Sequence, residues 1–302
     1  MYNGNNFAFK GDLEVGGTLK RPVTSSSNTG SFTFYVGQKL PGDFASLQDA
    51  VDALSIQSKK AGDKPATVLI RDGYLLPGRL LCRDGDFSHI ALAPETDGTK
   101  VSLDSNVTYP SSGAVLDITN AKSPVVGCLI DAQRNGGNGL RVNGSGATAS
   151  VLAGAGVINA QNHALILSNG AHADVANAIF RGAGADALRV THGSSLYGCN
   201  VDASSAGRSG ATVTSTSRAV IDGSSFSDLK GSNVAGISVS GNSAVSAHGV
   251  YVSGSELSAG AEVSSASSLD ASDLRFTCSS KVPDGIRLQG AARADLASAR
   301  LE

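Results

Sequence analysis

The chain has 302 residues, with 37 glycines, no tryptophan, one methionine and only 17% charged side chains. That composition is poor in helix formers and rich in turn formers, which argues against a helical bundle. A net charge of −2 and a pI of about 6.2, with both signs scattered along the chain, leave no electrostatic footprint for nucleic acid or an anionic membrane, and no stretch reaches the length of a membrane span.

Met1 to Asn6 lacks a basic region leading into an apolar run, so no secretory signal is expected and synthesis is assigned to the cytoplasm. Residues 1–30 carry an alternating segment, Phe7-Ala8-Phe9-Lys10, then the pair Gly16-Gly17 and a polar linker from Thr24 to Gly30. This reads as a detachable arm whose Phe7 and Phe9 anchor it in another protein's groove.

Residues 31–112 read as a lead-in module. Phe32 to Val36 is strand-like, and a helix is predicted over 43–56, where Phe44, Leu47, Val51 and Leu54 fall on one face. Thr67 to Tyr74 and His89 to Pro94 follow as irregular first rungs of a solenoid. The helix is expected to cap the solenoid's open end, as terminal repeats require.

Residues 113–302 repeat about every 24 residues. Segments starting at Leu140, Leu165, Leu188, Thr212, Ile237, Ala261 and Ile286 are offset by 25, 23, 24, 25, 24 and 25. A second apolar column runs Val151, Val175, Leu196, Val220, Val245, Leu269, Leu296. A third runs Ile130, Ile158, Phe180, Val201, Phe226, Val252, Phe276, Leu301. Three short period-2 strands per unit cannot bury their inner faces alone and must stack on copies of themselves. The predicted fold is therefore an all-β, right-handed, single-stranded parallel β-helix. Leucine-rich repeats would need a Leu-rich consensus, helical repeats a period of 3.6, and calcium-binding nonapeptide repeats an array of Asp in Gly-rich turns; none is present. Cys128 and Cys199 sit in matching settings three rungs apart, roughly 14 Å at one strand spacing per rung, too far for a disulfide. Buried free thiols are expected, consistent with cytoplasmic synthesis.

The run Asp43 to Leu54, preceded by a glycine and followed by Val68-Leu69-Ile70-Arg71-Asp72-Gly73-Tyr74, resembles the cap helix and first strand of pectin-lyase-like β-helices in bacteriophage tailspikes and related virion fibres. The motif likeness covers 43–74, the architectural likeness 36 to about 300. For a phage member it implies a virion protein made in the bacterial cytoplasm, a homotrimer, a particle protein gripping the N-terminal arm, and a surface facing host polysaccharide.

The chemical signals are sparser. Equivalent places after the third strand are read as Asp131, Asn159, Arg181, Asp202, Asp228, Ser253 and Thr277. Asp202 and Asp228 would then form a carboxylate pair one strand spacing apart, with Arg181 one rung away, suited to retaining glycoside hydrolysis; as turn residues they need no catalytic role. Asp270 and Asp273, read as sharing a rung with Glu262, form a solvated edge, and Asp84-Gly85-Asp86 a tight turn rather than a metal site. The five histidines show no ligand spacing, and no metal or cofactor is expected. Phe180, Phe226 and Phe276 read as a core stack. Alternation puts Tyr197 and Tyr251 outward, as candidates for one glycan-contact strip. The chain stops inside what reads as an eighth rung, and a distal protein is expected to cover that end. Two readings remain: a non-catalytic fibre or spike subunit serving adhesion or carrying a receptor-binding tip, and a polysaccharide-degrading spike. The short turns between rungs favour the first, since fold does not set activity.

Overall fold

A computed structural model describes residues 33–37, 40, 43–56, 66–106, 113–134, 137–278, 284–298 and 300–301. The arm with Phe7 and Phe9 lies outside the described residues. The chain winds into a parallel β-helix of about nine turns, each contributing short strands to three sheets. Sheet 1 has eleven strands, from Thr33–Val36 to Arg293–Asp295, and sheet 3 has nine, from Leu80–Arg83 to Asp284–Leu288. Sheet 2 consists of two four-stranded ladders, Leu75–Leu76 to Gly156–Ile158 and Ser225–Leu229 to Arg300–Leu301. Isolated parallel bridges Gly156–Ile179, Ile179–Asp202 and Asp202–Ser225 join them.

Alternation drives the coil. In Leu165–Ser168 the two leucines are buried and Ile166 faces outward, and the pattern repeats in Leu188–Val190 and Ala211–Val213. Register corrects several of the expected columns. Leu188 pairs with Ala211, not Thr212, and Ala211 with Ile237. The second column is Ala149, Ala173, Leu196, Ala219, Val245, Leu269, Ala294, so Val220 points outward and Leu296 is exposed. Val157 replaces Ile158 beside Ile130, and the Asp202 bridges bring Ala203, rather than Val201, into line with Phe180 and Phe226. Rungs vary by a few residues, and any of three corners can absorb the difference. A period alone therefore cannot say which one does.

The corners use left-handed backbone. Positive φ occurs at Asn177 and Asn200 after sheet 1, at Asn159 and Ser205 after sheet 2, and at successive pairs after sheet 3: Asn169-Gly170, His192-Gly193 and Ser215-Thr216. Two consecutive positive φ values define a type I′ turn, which Asn and Gly adopt most readily. The inward phenylalanines are accommodated across the next corner: a Cβ on Gly210 would lie 2.4 Å from Phe226 Cγ, and one on Gly260 2.7 Å from Phe276 Cγ. Sheet 3 thus yields volume where sheet 2 fills it.

The cap helix α1 spans Leu47–Ser55, shorter at its start than the predicted 43–56. Phe44 is held extended by a parallel bridge to Val36, and the Ser46 side chain accepts from Asp49 N, so the helix begins after Ser46. Leu47, Ala50, Val51 and Leu54 are buried against the first rungs. At the other helix end, His89 Nε2 lies 3.0 Å from the Leu54 carbonyl oxygen, which can only accept, so Nε2 carries the proton. All four cysteines are free thiols. Burial pushes the Cys82 and Cys128 thiols up to about 12. Among the described residues no helix is long and apolar enough to cross a membrane.

Candidate functional site

On the outward face of sheet 2, backbone register aligns Ile179, Asp202, Ser225, Tyr251, Arg275 and Arg300 in one column along the axis. Arg181, two residues beyond Ile179, donates from Nε to Asp202 Oδ2 at 2.7 Å, and its Nη2 bonds the same oxygen. Ser204 Oγ donates to Asp202 Oδ1 at 2.8 Å. Burial by itself would raise the Asp202 pKa, but the Arg181 and Ser204 hydrogen bonds outweigh it and hold the carboxyl below its usual value. Asp202 is thus a fixed anion rather than a proton donor.

The expected carboxylate pair does not align. Asp202 pairs with Ser225, 23 residues on, whereas Asp228 lies three residues further, at φ 55, where the ladder shifts register between Phe226 and Leu229. The Asp228 backbone N–H donates to Ser253 Oγ at 3.1 Å. A left-handed irregularity within the strand Ser225–Leu229 explains that residue without chemistry. Asp131 pairs with Ile158 rather than Asn159, and the Asn159 amide donates to it at 3.0 Å.

Tyr197 and Tyr251 both point outward, with 45% and 36% of their surface exposed, but on different sheets. Tyr197 lies in sheet 1 between Asp174 and Val220, so the two rings do not form one strip. Tyr251 instead shares the sheet 2 column with Asp202, two rungs away, and has Arg275 beside it. Glu262 and Asp270 share a rung, as expected, but on different sheets: Glu262 is in sheet 3, 3.4 Å from Arg287, and Asp270 in sheet 1, 3.6 Å from His248. Asp86 closes a turn through Ser88 and pairs with Lys122 at 2.9 Å.

A second cluster, absent from the sequence reading, sits at the corner leading into sheet 3. Asp186 is 1% exposed. His163 Nδ1 approaches its Oδ2 at 3.5 Å and Arg189 Nη1 at 3.4 Å, and Arg208 Nε approaches Oδ1 at 4.0 Å. Ser209 N donates to Oδ1 at 3.4 Å. Burial is the largest influence on His163 and lowers its pKa, partly countered by Asp186 and reinforced by Arg189 and Arg208, so the ring is neutral near pH 7.

No protein-family model matches the chain, and no curated protein matches it in sequence. Among solved structures it is similar to the enzymatically active domain of tailspike protein 2 of bacteriophage CBA120, at 13% identity and a TM-score of 0.45 over 94% of this chain. The chain spans 44% of that domain's length. A mannuronan C-5 epimerase A-module from Azotobacter vinelandii aligns at 14% identity and a TM-score of 0.27, over 82% of this chain and 94% of that one. A pectin methylesterase from Aspergillus niger aligns at 13% identity and 0.30, over 90% and 87%. The parallel β-helix of this chain is read from its own ladders.

One signal could have exposed the second cluster. His163 and Asp186 are 23 residues apart and Asp186 and Arg208 are 22, one rung in each case. Aligning charged residues on the repeat, rather than seeking ligand motifs within a segment, brings the three together.

Proposed function

We propose that this chain is the shaft of a virion fibre or spike that adheres to host-surface glycan along sheet 2, without cleaving it. In this reading it is a homotrimer held to the particle by residues 1–30, with Phe7 and Phe9 as anchors and a distal protein at the far end. The observation that carries it is the outward column Asp202, Ser225, Tyr251, Arg275, Arg300. It offers an aromatic platform, charges of both signs and hydroxyls at intervals of about 4.8 Å along the axis, a spacing that suits successive sugar residues of an extended chain. The Arg181-bound Asp202 is a poor general acid, and Asp228, the expected second carboxylate, is out of register with it, which supports binding over hydrolysis.

The test is binding of the purified trimer to host polysaccharide, with reducing-end release assayed in parallel. Tyr251→Ala should weaken binding while Tyr197→Ala, on another face, leaves it unchanged. Release of sugar that Asp202→Asn abolishes would instead establish a glycan-cleaving spike.

A further inference from the structure

The Asp186 cluster has more positive charge than its carboxylate can use. Arg71 and Arg141 each hold their carboxylate partners at 2.6 Å, and Arg287 reaches Asp284 at 2.8 Å. Arg189 and Arg208 share the single Asp186 carboxylate at 3.4 and 4.0 Å, with about a third and half of their side chains open to solvent. One anion against two cations leaves a surplus positive charge and two partly exposed guanidinium groups with donors to spare.

The structural work done at this corner does not require a charge. One column along the axis holds Asn138, His163, Asp186 and Ser209, and Asn138 Oδ1 accepts from His163 N as Asp186 Oδ1 accepts from Ser209 N. A neutral amide performs that backbone role at position 138, so the carboxylate at 186 serves to gather the cations. His163 Nδ1 is buried without a hydrogen-bond partner and faces Asp186 Oδ2. The proton of the neutral ring belongs on that nitrogen, since a lone pair there would face an anion, which leaves Nε2 as an acceptor.

We propose that Arg189 and Arg208 bind the oxyanion of an acidic saccharide residue, with His163 Nε2 accepting from one of its hydroxyls. This deepens the glycan-adhesion reading and rests on it for the source of the anion. Two donor forks and one acceptor suit a sugar acid better than inorganic phosphate, which at neutral pH has less to donate.

The experiment is titration of the full chain with glucuronate, glucose and inorganic phosphate, followed by calorimetry and by the His163 imidazole resonances. Glucuronate should bind and shift His163, glucose should not, and Arg208→Gln and Arg189→Gln should each weaken glucuronate about tenfold. His163→Gln should weaken glucuronate but not phosphate. Thermal unfolding of each variant checks that the fold is kept. Absence of glucuronate binding, binding that survives both arginine substitutions, or phosphate binding as tightly as glucuronate would each overturn the proposal. The sheet 2 reading is separately exposed: if Tyr251→Ala leaves polysaccharide binding intact while the arginine variants abolish it, the adhesion face is this corner and not sheet 2.

Discussion

The lead-in module and the regular shaft are built from the same three sheets but held together differently. In the lead-in module, single side chains tie several elements together. Arg71 donates to Asp43 through Nε at 2.6 Å and Nη2 at 3.2 Å, reaches Glu95 at 2.6 Å, and stacks 4.3 Å from the Tyr35 ring centroid. Gln48 uses both ends of its amide on Leu81, donating to the carbonyl and accepting from the N–H, and the Tyr74 hydroxyl accepts from Leu47 N. In the shaft the corresponding work is shared among backbone ladders, an apolar filling and left-handed corners repeated rung after rung. A capping helix must meet a surface that no repeat supplies, so its fit is specified residue by residue.

That contrast predicts where substitutions cost most. The largest effect expected is from Asp43→Ala, which takes two charge-assisted hydrogen bonds from Arg71, leaves it only Glu95 as a carboxylate partner, and should cost about 1.5–3 kcal/mol in denaturant unfolding. The exposed shaft pair offers the comparison: Asp202→Asn, beside Arg181, should cost under about 1 kcal/mol. Equal costs would break the contrast.

Next is the corner exchange of volume. Gly210→Ala should cost about 1–3 kcal/mol by driving a methyl into Phe226, and that cost should be smaller in a Phe226→Ala background, which removes the Cγ and Cδ1 atoms the methyl would meet. Strict additivity in that double-mutant cycle would show that the two positions do not share space.

The pH response of the shaft should come partly from His163. Its folded pKa lies below the unfolded value, so as pH falls below about 6.5 the unfolded chain takes up a proton that the native ring resists, and stability drops. Denaturant midpoints measured at about pH 7.5 and about pH 5.5 should therefore differ less in His163→Gln than in the parent chain.

The smallest effect is a gain. Thr216 is β-branched at φ 61, in a turn position where neighbouring rungs place Gly170 and Gly193. Thr216→Gly should raise stability by about 1 kcal/mol, as relief of the left-handed strain exceeds the added freedom of the unfolded chain.

Much of the fold was legible because the repeat is physical. Each rung must bury an inner face on the next, so apolar alternation recurs at a fixed interval, and Leu165, Leu188, Val245 and Phe276 fall where the columns predicted. The cap helix was legible too, since Leu47, Val51 and Leu54 describe one helical face. Its start was not: Phe44 pairs with Val36, a strand remote from it in chemistry though near in sequence, and that pairing overrides the helical pattern. The candidate site was less legible. Arg181 and Asp202 do meet, but Asp228 appeared equivalent to Asp202 only because a variable corner was counted as a constant one.

By itself the sequence determined the period, the alternation and the identity of the capping segment, because these follow from local preference and from the need of every rung to hide the same face. Only the tertiary structure decided which residues stand side by side along the axis. A corner can lengthen by a residue or two at little cost, yet each such change shifts every outward side chain after it relative to the rung below. Tyr251 therefore joins Asp202 rather than Tyr197, and His163, Asp186, Arg189 and Arg208 converge from three successive rungs.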